Sequence, residues 1–190
     1  MTLLHERSDF PVLINATANA TNIPEAFIVK DYWVTEILRA LQSSELNGHF
    51  LFKGGTSLSK AFGIINRFSE DIDLLFTDEE AGKKLRRKQM KLAETLALRI
   101  PNLQIDAANP DHFSSDNHRT SCFRYPAAST SGVLPFIIME MGFRGGKEPS
   151  VFKKIESILA GFIQKHDQQL VLVIANLSPF NISVQIPLEH

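Results

Sequence analysis

The spacing of apolar residues changes along the chain between the helical period of about 3.6 residues and the two-residue alternation of a strand. Apolar residues recur at helical spacing from Ala26 to Leu41, which predicts a helix over residues 24–43 with one buried face. The preceding stretch, Asn22-Ile-Pro-Glu25, resembles a capping box with Asn22 as the N-cap residue. This long helix is therefore predicted to begin at residue 24.

Strand-like alternation is clearest over residues 71–76, where Ile72, Leu74 and Phe76 are predicted to face one side and Asp71 and Asp73 the other. Other strands are predicted over residues 50–52, 103–107, 120–125, 136–143 and 170–175. Helices are predicted over residues 56–62 and 78–100, a short helix or loop over 1–21, a loop over 109–118, and an ambiguous, weakly helical segment over 151–164. The mixture predicts an α+β (mixed α/β) fold, with a mixed sheet flanked by helices.

The composition is typical of one soluble domain, which we expect to span residues 1–187. The chain has 190 residues, of which 44% are hydrophobic and 22% are charged. Its formal net charge of −1 predicts no general attraction to nucleic acid or membrane, although a local basic patch could still bind either. The single cysteine, Cys122, excludes an intrachain disulfide and fits a reducing cytoplasm. No apolar stretch is long enough to span a bilayer.

The last three residues, Leu188, Glu189 and His190, match the start of many vector-encoded histidine tags. We expect them to be a tag remnant and the natural chain to continue beyond them. A native terminus is the alternative.

The stretch Lys53-Gly-Gly-Thr-Ser57 follows a predicted strand and precedes a predicted helix. Gly54 and Gly55 permit a tight turn and a close approach of the backbone to a ligand. The hydroxyl groups of Thr56 and Ser57, with the N–H groups of the next helical turn, could hold phosphate oxygens. The spacing is neither that of a Walker loop nor that of a dinucleotide-binding fingerprint. A purely structural turn is the alternative.

Asp71 and Asp73 project from the same face of one predicted strand. Two carboxylates in this arrangement raise each other's pKa unless a cation lies between them. Oxygen ligands of this kind suit Mg²⁺, which binds a few carboxylates together with substrate phosphates. A solvated edge strand is the alternative explanation.

Glu140 interrupts an otherwise apolar predicted strand, Ile137-Ile-Met-Glu-Met141. A charge in that position costs free energy unless it is paired or bound to a metal. A salt bridge to Arg144 or Arg67 would also explain it. Together with the glycine turn and the aspartate pair, Glu140 fits a single site for a nucleotide and Mg²⁺.

These features together resemble the DNA polymerase β-type nucleotidyltransferase superfamily, whose signature is a Gly-Gly or Gly-Ser turn, a helix, two aspartates flanking an apolar residue, and a later acidic strand residue. More narrowly, KGGTSLSKAFG with RFSEDIDL resembles the AbiEii/AbiGii toxin family. Residues 29–34 and 138–144 resemble two further motifs of that family. The resemblance extends from about residue 25 to 150, and nothing after residue 165 resembles the C-terminal helical region of the family.

The resemblance implies roles for individual residues. Asp71, Asp73 and Glu140 would bind Mg²⁺ (or Mn²⁺), and Glu140 could instead help to deprotonate the acceptor. The triphosphate of an NTP would lie against Gly54, Gly55, Thr56 and Ser57. The candidate phosphate-binding cations are Lys53, Lys60 and Arg67, of which Arg67 could instead pair with Glu70 or Glu140. Asp31 and Trp33 are expected to be structural, as a helix salt bridge and a core aromatic.

The resemblance implies a cytoplasmic bacterial enzyme that transfers a nucleotide from an NTP to a hydroxyl group of RNA, tRNA in particular, or of protein. It would be the toxin of a toxin–antitoxin or abortive-infection system, restrained by a separately encoded antitoxin. One alternative is a nucleotidyltransferase that modifies a small molecule such as an antibiotic. Another is a catalytically degenerate nucleotide-binding module.

One basic run, Lys83-Lys-Leu-Arg-Arg-Lys88, lies in a predicted helix, and Lys91 follows it. Its cations could contact an RNA backbone, because phosphate contacts dominate such binding. A solvated helix face is the alternative.

Overall fold

The computed structural model describes the chain in the stretches 3–64, 71–78, 82–126, 134–143, 149–174 and 176–186. The strands are β1 (Phe50–Lys53), β2 (Asp71–Phe76), β3 (Gln104–Ile105), β4 (Phe113–Ser114), β5 (His118–Arg124), β6 (Phe136–Gly142), β7 (Ser150–Ile155) and β8 (Phe180–Gln185). The α-helices are α1 (Phe10–Thr21), α2 (Glu25–Gln42), α3 (Gly54–Ser57), α4 (Lys83–Ala97), α5 (Ile158–His166) and α6 (Gln168–Val173). A 3-10 turn, Leu4–Glu6, precedes α1, and a π-helical segment, Leu58–Phe62, follows α3 directly.

The strands of the described residues form one mixed sheet in the order β3-β5-β6-β2-β1-β8-β7, with β4 paired to β5. At the centre, β2 pairs antiparallel with β1 and parallel with β6. The outer pairs are the antiparallel β5–β6 and β7–β8, and β8 runs parallel to β1. The predicted α+β fold with a mixed sheet is therefore confirmed.

The two faces of the sheet differ in chemistry because side chains alternate along each strand. One face is covered by helices that include α2, and it contributes large buried residues to the core. These include Phe52, Ile72, Leu74, Phe76, Phe123, Ile137, Met139 and Met141. On β2, Asp71 and Asp73 are half-buried on the opposite face. The predicted alternation over residues 71–76 is confirmed.

The predicted helix over residues 24–43 is confirmed as α2, but the capping box before it is wrong. Asn22 instead ends α1 in the left-handed conformation, with φ of 57°. The residue at the N-cap position of α2 is Pro24. Asparagine tolerates the left-handed region better than most residues, which explains its use as the C-cap of the earlier helix. Trp33 on α2 is buried in the core as expected.

The region after residue 150 differs most from the sequence prediction. The segment 151–164, predicted as weakly helical, divides into β7 and α5. The predicted strand over residues 170–175 is wrong, because residues 168–173 form α6. The Asp167 carboxylate accepts hydrogen bonds from the backbone N–H groups of Gln169 and Leu170, which favours a helix start there. Strand β8 was not predicted.

A buried polar network attaches this region to the rest of the fold. The Asn176 side-chain amide donates to the Tyr32 hydroxyl at 2.7 Å and to Glu36 Oε2 at 2.6 Å. The backbone N–H of Leu4 donates to the Asn176 side-chain oxygen at 3.1 Å. One asparagine therefore joins the N-terminal turn, α2 and the segment before β8.

None of the helices in the described stretches has both the length and the apolar character needed to cross a bilayer.

A second buried network fixes α4 on the sheet. Glu94 Oε2 accepts hydrogen bonds from the Arg119 guanidinium at 2.7 and 2.9 Å and from the Ser121 hydroxyl at 2.8 Å. Lys91 pairs with the other carboxylate oxygen. Burial raises the pKa of Glu94, but these hydrogen bonds outweigh burial and hold the pKa below its usual value. The ionised carboxylate is therefore part of the native packing.

We expect Glu94→Gln to lower the free energy of unfolding at neutral pH by about 3 kcal/mol, because Arg119 loses its buried counter-charge. The native pKa of Glu94 is depressed, so its contribution is present above the unfolded pKa of about 4.5 and is lost as the pH falls through the native value. Urea denaturation of both proteins across this pH range measures the difference, which should shrink on acidification. The exposed Glu45→Gln is the control. An equal effect of the two changes would contradict the role of Glu94.

Candidate active site

The strand register places one residue from each of four neighbouring strands in a row across the sheet. Lys53 lies opposite Asp73, Asp73 opposite Glu140, and Glu140 opposite Thr120. We call these four residues the polar row. Neighbouring strands lie about 4.8 Å apart. Asp73 and Glu140 are paired in register on adjacent strands, so their side chains leave the sheet side by side on the same face. The structure therefore brings these two predicted site residues together.

Gly54, directly after Lys53, approaches the carboxylate of Asp73 very closely. Its φ is +75°, and a Cβ atom added there would overlap Asp73 Oδ2 and lie 2.7 Å from Asp73 Cγ. Only glycine combines this conformation with this contact. The glycine turn and the aspartate strand thus form one local structure.

The hydroxyl groups of Thr56 and Ser57 are directed to backbone oxygens of this same structure. Thr56 Oγ1 donates to the carbonyl oxygen of Asp71 at 2.5 Å, and Ser57 Oγ donates to the carbonyl oxygen of Gly54 at 2.9 Å. Both residues are buried. In this structure the two hydroxyls stabilise the turn and connect it to the start of β2, while Gly55 lies in the first turn of α3.

Negative charge is concentrated around Asp73. Burial raises the pKa of the Asp73 carboxyl above its usual value, and the charge of Glu140 raises it further. Lys53 opposes the shift, and the charge of Asp71 adds to it. The polar row thus holds more negative than positive charge.

The residues present fit a divalent cation. Among the residues that the structure describes, no group of three or more His, Cys, Asp or Glu side chains forms a ready-made metal site. Asp73 and Glu140 nevertheless supply two carboxylates on adjacent strands, and their negative charge, which Lys53 offsets only in part, favours a cation. Mg²⁺ is commonly held by one or two carboxylates together with substrate phosphates, so a complete protein cage is not required.

A cavity of about 740 Å³ opens over the polar row. Its volume is within the usual range for sites that bind small molecules and cofactors. The lining residues are Lys53, Asp73, Leu74, Leu75, Ser115, Asp116, Asn117, His118, Glu140, Met141 and Gly142. The cavity therefore extends from the glycine-turn side of the sheet to the turn between β4 and β5.

Lys60, predicted as a phosphate-binding residue, has a different position. Its ammonium pairs with Asp31, and the two side chains are 9% and 10% exposed. Asp31 Oδ2 also accepts a hydrogen bond from the backbone N–H of Ile158 at 2.8 Å. Lys60 therefore joins the π-helical segment to α2 and α5, which confirms the expected salt-bridge role of Asp31. Arg67, Glu70 and Arg144 lie outside the described residues.

Sequence reasoning missed the wall of the cavity formed by Ser115, Asn117 and His118. His118 Nε2 lies 3.0 Å from Thr120 Oγ1, and this contact connects the wall to the polar row. No motif spacing marks these residues, because they reach the site through the pairing of β5 with β6. The signal lies in strand register, which a single sequence does not give.

A protein-family model described as the nucleotidyl transferase AbiEii toxin of type IV TA systems matches residues 36–184. The chain belongs to the AbiEii family. The match continues past residue 165 and ends at Val184, within β8. The site of this AbiEii-family chain, from Gly54 to Glu140, lies within the match.

One solved structure similar to this AbiEii-family chain is MenT4, a nucleotidyltransferase toxin from Mycobacterium tuberculosis H37Rv. The likeness has a TM-score of 0.47 and 19% sequence identity, and it covers 74% of this chain and 47% of MenT4. The chain thus spans about half the length of that structure. No curated protein sequence matches the chain.

We expect Gly54→Ala to destabilise this AbiEii-family chain more than Gly48→Ala. Both glycines have positive φ, so each substitution incurs about 1–2 kcal/mol of backbone strain. Only at position 54 does the added Cβ atom overlap Asp73, whereas nothing lies within 4 Å at position 48. Urea denaturation of the two variants measures the difference. Equal losses would show that the contact with Asp73 is unimportant.

We expect Lys60→Met to cost about 3 kcal/mol of unfolding free energy, because it leaves the buried charge of Asp31 without its partner. The double variant Lys60→Met with Asp31→Asn should recover part of that loss. Lys53→Met, which changes a cavity-lining residue, should cost less than Lys60→Met, because the charge pair that it breaks is less buried. Thermal and urea unfolding test all three variants. A destabilising Lys53→Met beside a neutral Lys60→Met would reverse this assignment.

Proposed function

We propose that this chain is the nucleotidyltransferase toxin of a type IV toxin–antitoxin system, and that it transfers a nucleotide from an NTP to an acceptor hydroxyl group. The contact of the Gly54 backbone with the Asp73 carboxylate carries the proposal. It joins a turn suited to phosphate with a carboxylate row suited to a divalent cation. Membership of the AbiEii family supports the same reaction.

The triphosphate is proposed to lie against the turn of Gly54 and Gly55, where the missing side chains permit close approach of the backbone. Thr56 and Ser57 hold this turn in shape through their hydrogen bonds to backbone oxygens. Lys53 lines the cavity beside the turn and offsets phosphate charge. Lys60 acts indirectly, by fixing the helical segment that follows the turn. Arg67 remains a proposed phosphate partner on sequence grounds.

The acceptor hydroxyl oxygen attacks the α-phosphorus of the NTP, and a new phosphorus–oxygen bond forms. The bond between the α-phosphorus and the bridging oxygen breaks, and pyrophosphate leaves with that electron pair. The proton of the hydroxyl passes to a carboxylate oxygen of Glu140 if that residue is the base, and to solvent water if Glu140 instead binds the metal. Attacking and leaving oxygens lie roughly in line in such displacements, so the site needs space on both sides of the α-phosphate.

Asp71, Asp73 and Glu140 are the proposed ligands of Mg²⁺ or Mn²⁺, which would neutralise the charge on the transferring phosphate and polarise it. Asp73 and Glu140 line the cavity. Asp71 lies two residues earlier on the same strand face, next to the glycine turn. Burial and then the charges of Glu140 and Asp71 raise the pKa of Asp73, and a bound cation would relieve the part that comes from charge repulsion.

The acceptor is proposed to be RNA, tRNA in particular, with a protein hydroxyl as the other class. A toxin of this kind acts in the bacterial cytoplasm and is restrained there by a separately encoded antitoxin. The antitoxin is therefore the proposed protein partner.

The deciding experiment incubates the chain with each α-³²P-labelled NTP, Mg²⁺ and total cellular RNA and protein. We expect label to enter RNA with one NTP, and we expect Asp73→Asn and Glu140→Gln each to reduce the rate by at least about 100-fold. Asp9→Asn, outside the site and paired only to Arg7 among the described contacts, is the matched control. The removal of Mg²⁺ by EDTA should abolish transfer.

Other outcomes lead to other functions. Label that enters neither RNA nor protein, from a chain that still binds NTP, would indicate a degenerate nucleotide-binding module. Transfer to a small molecule alone would favour the antibiotic-type enzyme. Absence of NTP binding would reject the assignment of the glycine turn.

A further inference from the structure

An exposed aromatic side chain lies next to Thr120, the last residue of the polar row. Phe113 on β4 lies opposite Thr120, one strand beyond it, and is 54% exposed. Its ring lies 6.2 Å from the ring of His118, centroid to centroid, with an interplanar angle of 37°. His118 itself lines the cavity. We call Phe113 and His118 the aromatic pair.

The turn between β4 and β5, which carries the aromatic pair, is held by hydrogen bonds within the turn and by contacts from α4. Within it, the Ser115 backbone N–H and hydroxyl both donate to the His118 carbonyl oxygen, at 2.8 and 3.0 Å. From α4, Arg86 donates to the Asn117 side-chain oxygen at 2.7 Å, and Arg87 pairs with Asp116. A recognition surface fixed in this way loses little conformational entropy when a ligand binds.

Positive charge lies next to the aromatic pair. The first turns of α4 carry Lys83, Lys84, Arg87 and Lys88, and all four are exposed. Lys83 and Arg87 both form ion pairs with Asp116 in the turn between β4 and β5, so the basic run lies next to the aromatic pair. This group of cations holds more charge than the single carboxylate can offset. Cations beside an exposed aromatic surface match the backbone and bases of a single-stranded nucleic acid.

In phosphoryl transfer the attacking and leaving oxygens lie roughly in line. This geometry indicates which of the two substrates, NTP or acceptor, approaches the Thr120 end of the polar row. In the proposed reaction, the leaving pyrophosphate lies at the glycine turn, beside Lys53. The attacking hydroxyl must then approach from the opposite side of the α-phosphate, toward Thr120 and the aromatic pair. Strand β5 lies about 10 Å from β2, two strand spacings away. That distance accommodates one nucleoside between the reacting hydroxyl and the ring of His118.

We propose that the aromatic pair is a stacking platform for the 3′-terminal bases of an RNA acceptor, with the basic run of α4 holding the RNA backbone. The inference rests on the proposed transferase function and deepens it by locating the acceptor. Unpaired RNA ends are commonly bound by stacking of their bases on aromatic side chains. Gly142 lies opposite His118, and a Cβ atom added there would be in ordinary contact with His118 Nδ1 at 3.7 Å, so the His118 ring lies close to the Gly142 backbone.

The test compares Phe113→Ala and His118→Ala with Phe152→Ala. Phe152 is 70% exposed on β7, at the opposite edge of the sheet, and is therefore a matched control. The probes are a fluorescein-labelled single-stranded RNA of about 12 nucleotides, within the usual size of such sites, and the same RNA with an abasic 3′-terminal residue. Anisotropy measures the Kd for RNA, and labelled NTP measures KM for each substrate.

We expect Phe113→Ala to raise the Kd and the KM for RNA roughly 5- to 100-fold, the usual cost of a lost stacking contact. The KM for NTP should stay unchanged. In Phe152→Ala, the Kd and the KM for RNA should both equal those of the wild type. Phe113→Tyr should restore RNA binding because it keeps the ring. The wild type should bind the abasic RNA more weakly than the intact RNA. His118→Ala should raise the Kd by a smaller factor for the abasic RNA than for the intact RNA.

Each contrary result has a separate meaning. A raised KM for NTP with unchanged RNA binding would assign the platform to the donor base and overturn the proposal. Label that enters protein but not RNA would also overturn it, while the transferase function stands. RNA binding that depends on Phe113 in a chain without transferase activity would retain the platform and reject the proposed function.

Discussion

The close approach of the Gly54 backbone to the Asp73 carboxylate is the constraint on which the site depends. It requires glycine, a positive φ and strand pairing that places Lys53 opposite Asp73. Thr56 then connects the same turn to the start of β2 through the Asp71 carbonyl oxygen. The turn and the carboxylate strand are held together, so the proposed positions for phosphate and for a cation depend on one piece of backbone.

Buried charges in this fold fix elements in place, at some cost in desolvation. The Asp31–Lys60 pair attaches the segment after the glycine turn to α2 and α5, and the Glu94–Arg119 pair attaches α4 to β5. Pairs of this kind often add little net stability compared with apolar residues, but they disfavour arrangements in which the partners are separated. Of the elements that these pairs join, β5 lines the cavity through His118, so the Glu94–Arg119 pair contributes to the geometry of the cavity wall.

The local parts of this structure follow from the sequence, and the long-range parts do not. Alternation along Asp71–Phe76 and the glycines at 54 and 55 depend on neighbouring residues, so the aspartate face and the turn could be predicted. The position of Glu140 beside Asp73, and of Thr120 and His118 beyond it, depends on which strands pair and in what register. Short apolar runs such as residues 170–175 suit a helix or a strand equally, and capping by Asp167 favours the helix.

The two faces of the sheet carry different residues, one apolar and one with the carboxylates, which explains how the fold stays stable with a charged site. The apolar face, with Phe52, Ile72 and Met139 fully buried, supplies the core. The other face can therefore carry several carboxylates, and burial together with repulsion from Glu140 and Asp71 raises the pKa of Asp73 there. That unfavourable charge is a small cost against the core, and a bound divalent cation would relieve it. Stability and reactivity thus reside on opposite sides of the same strands, so a change on one face need not disturb the other.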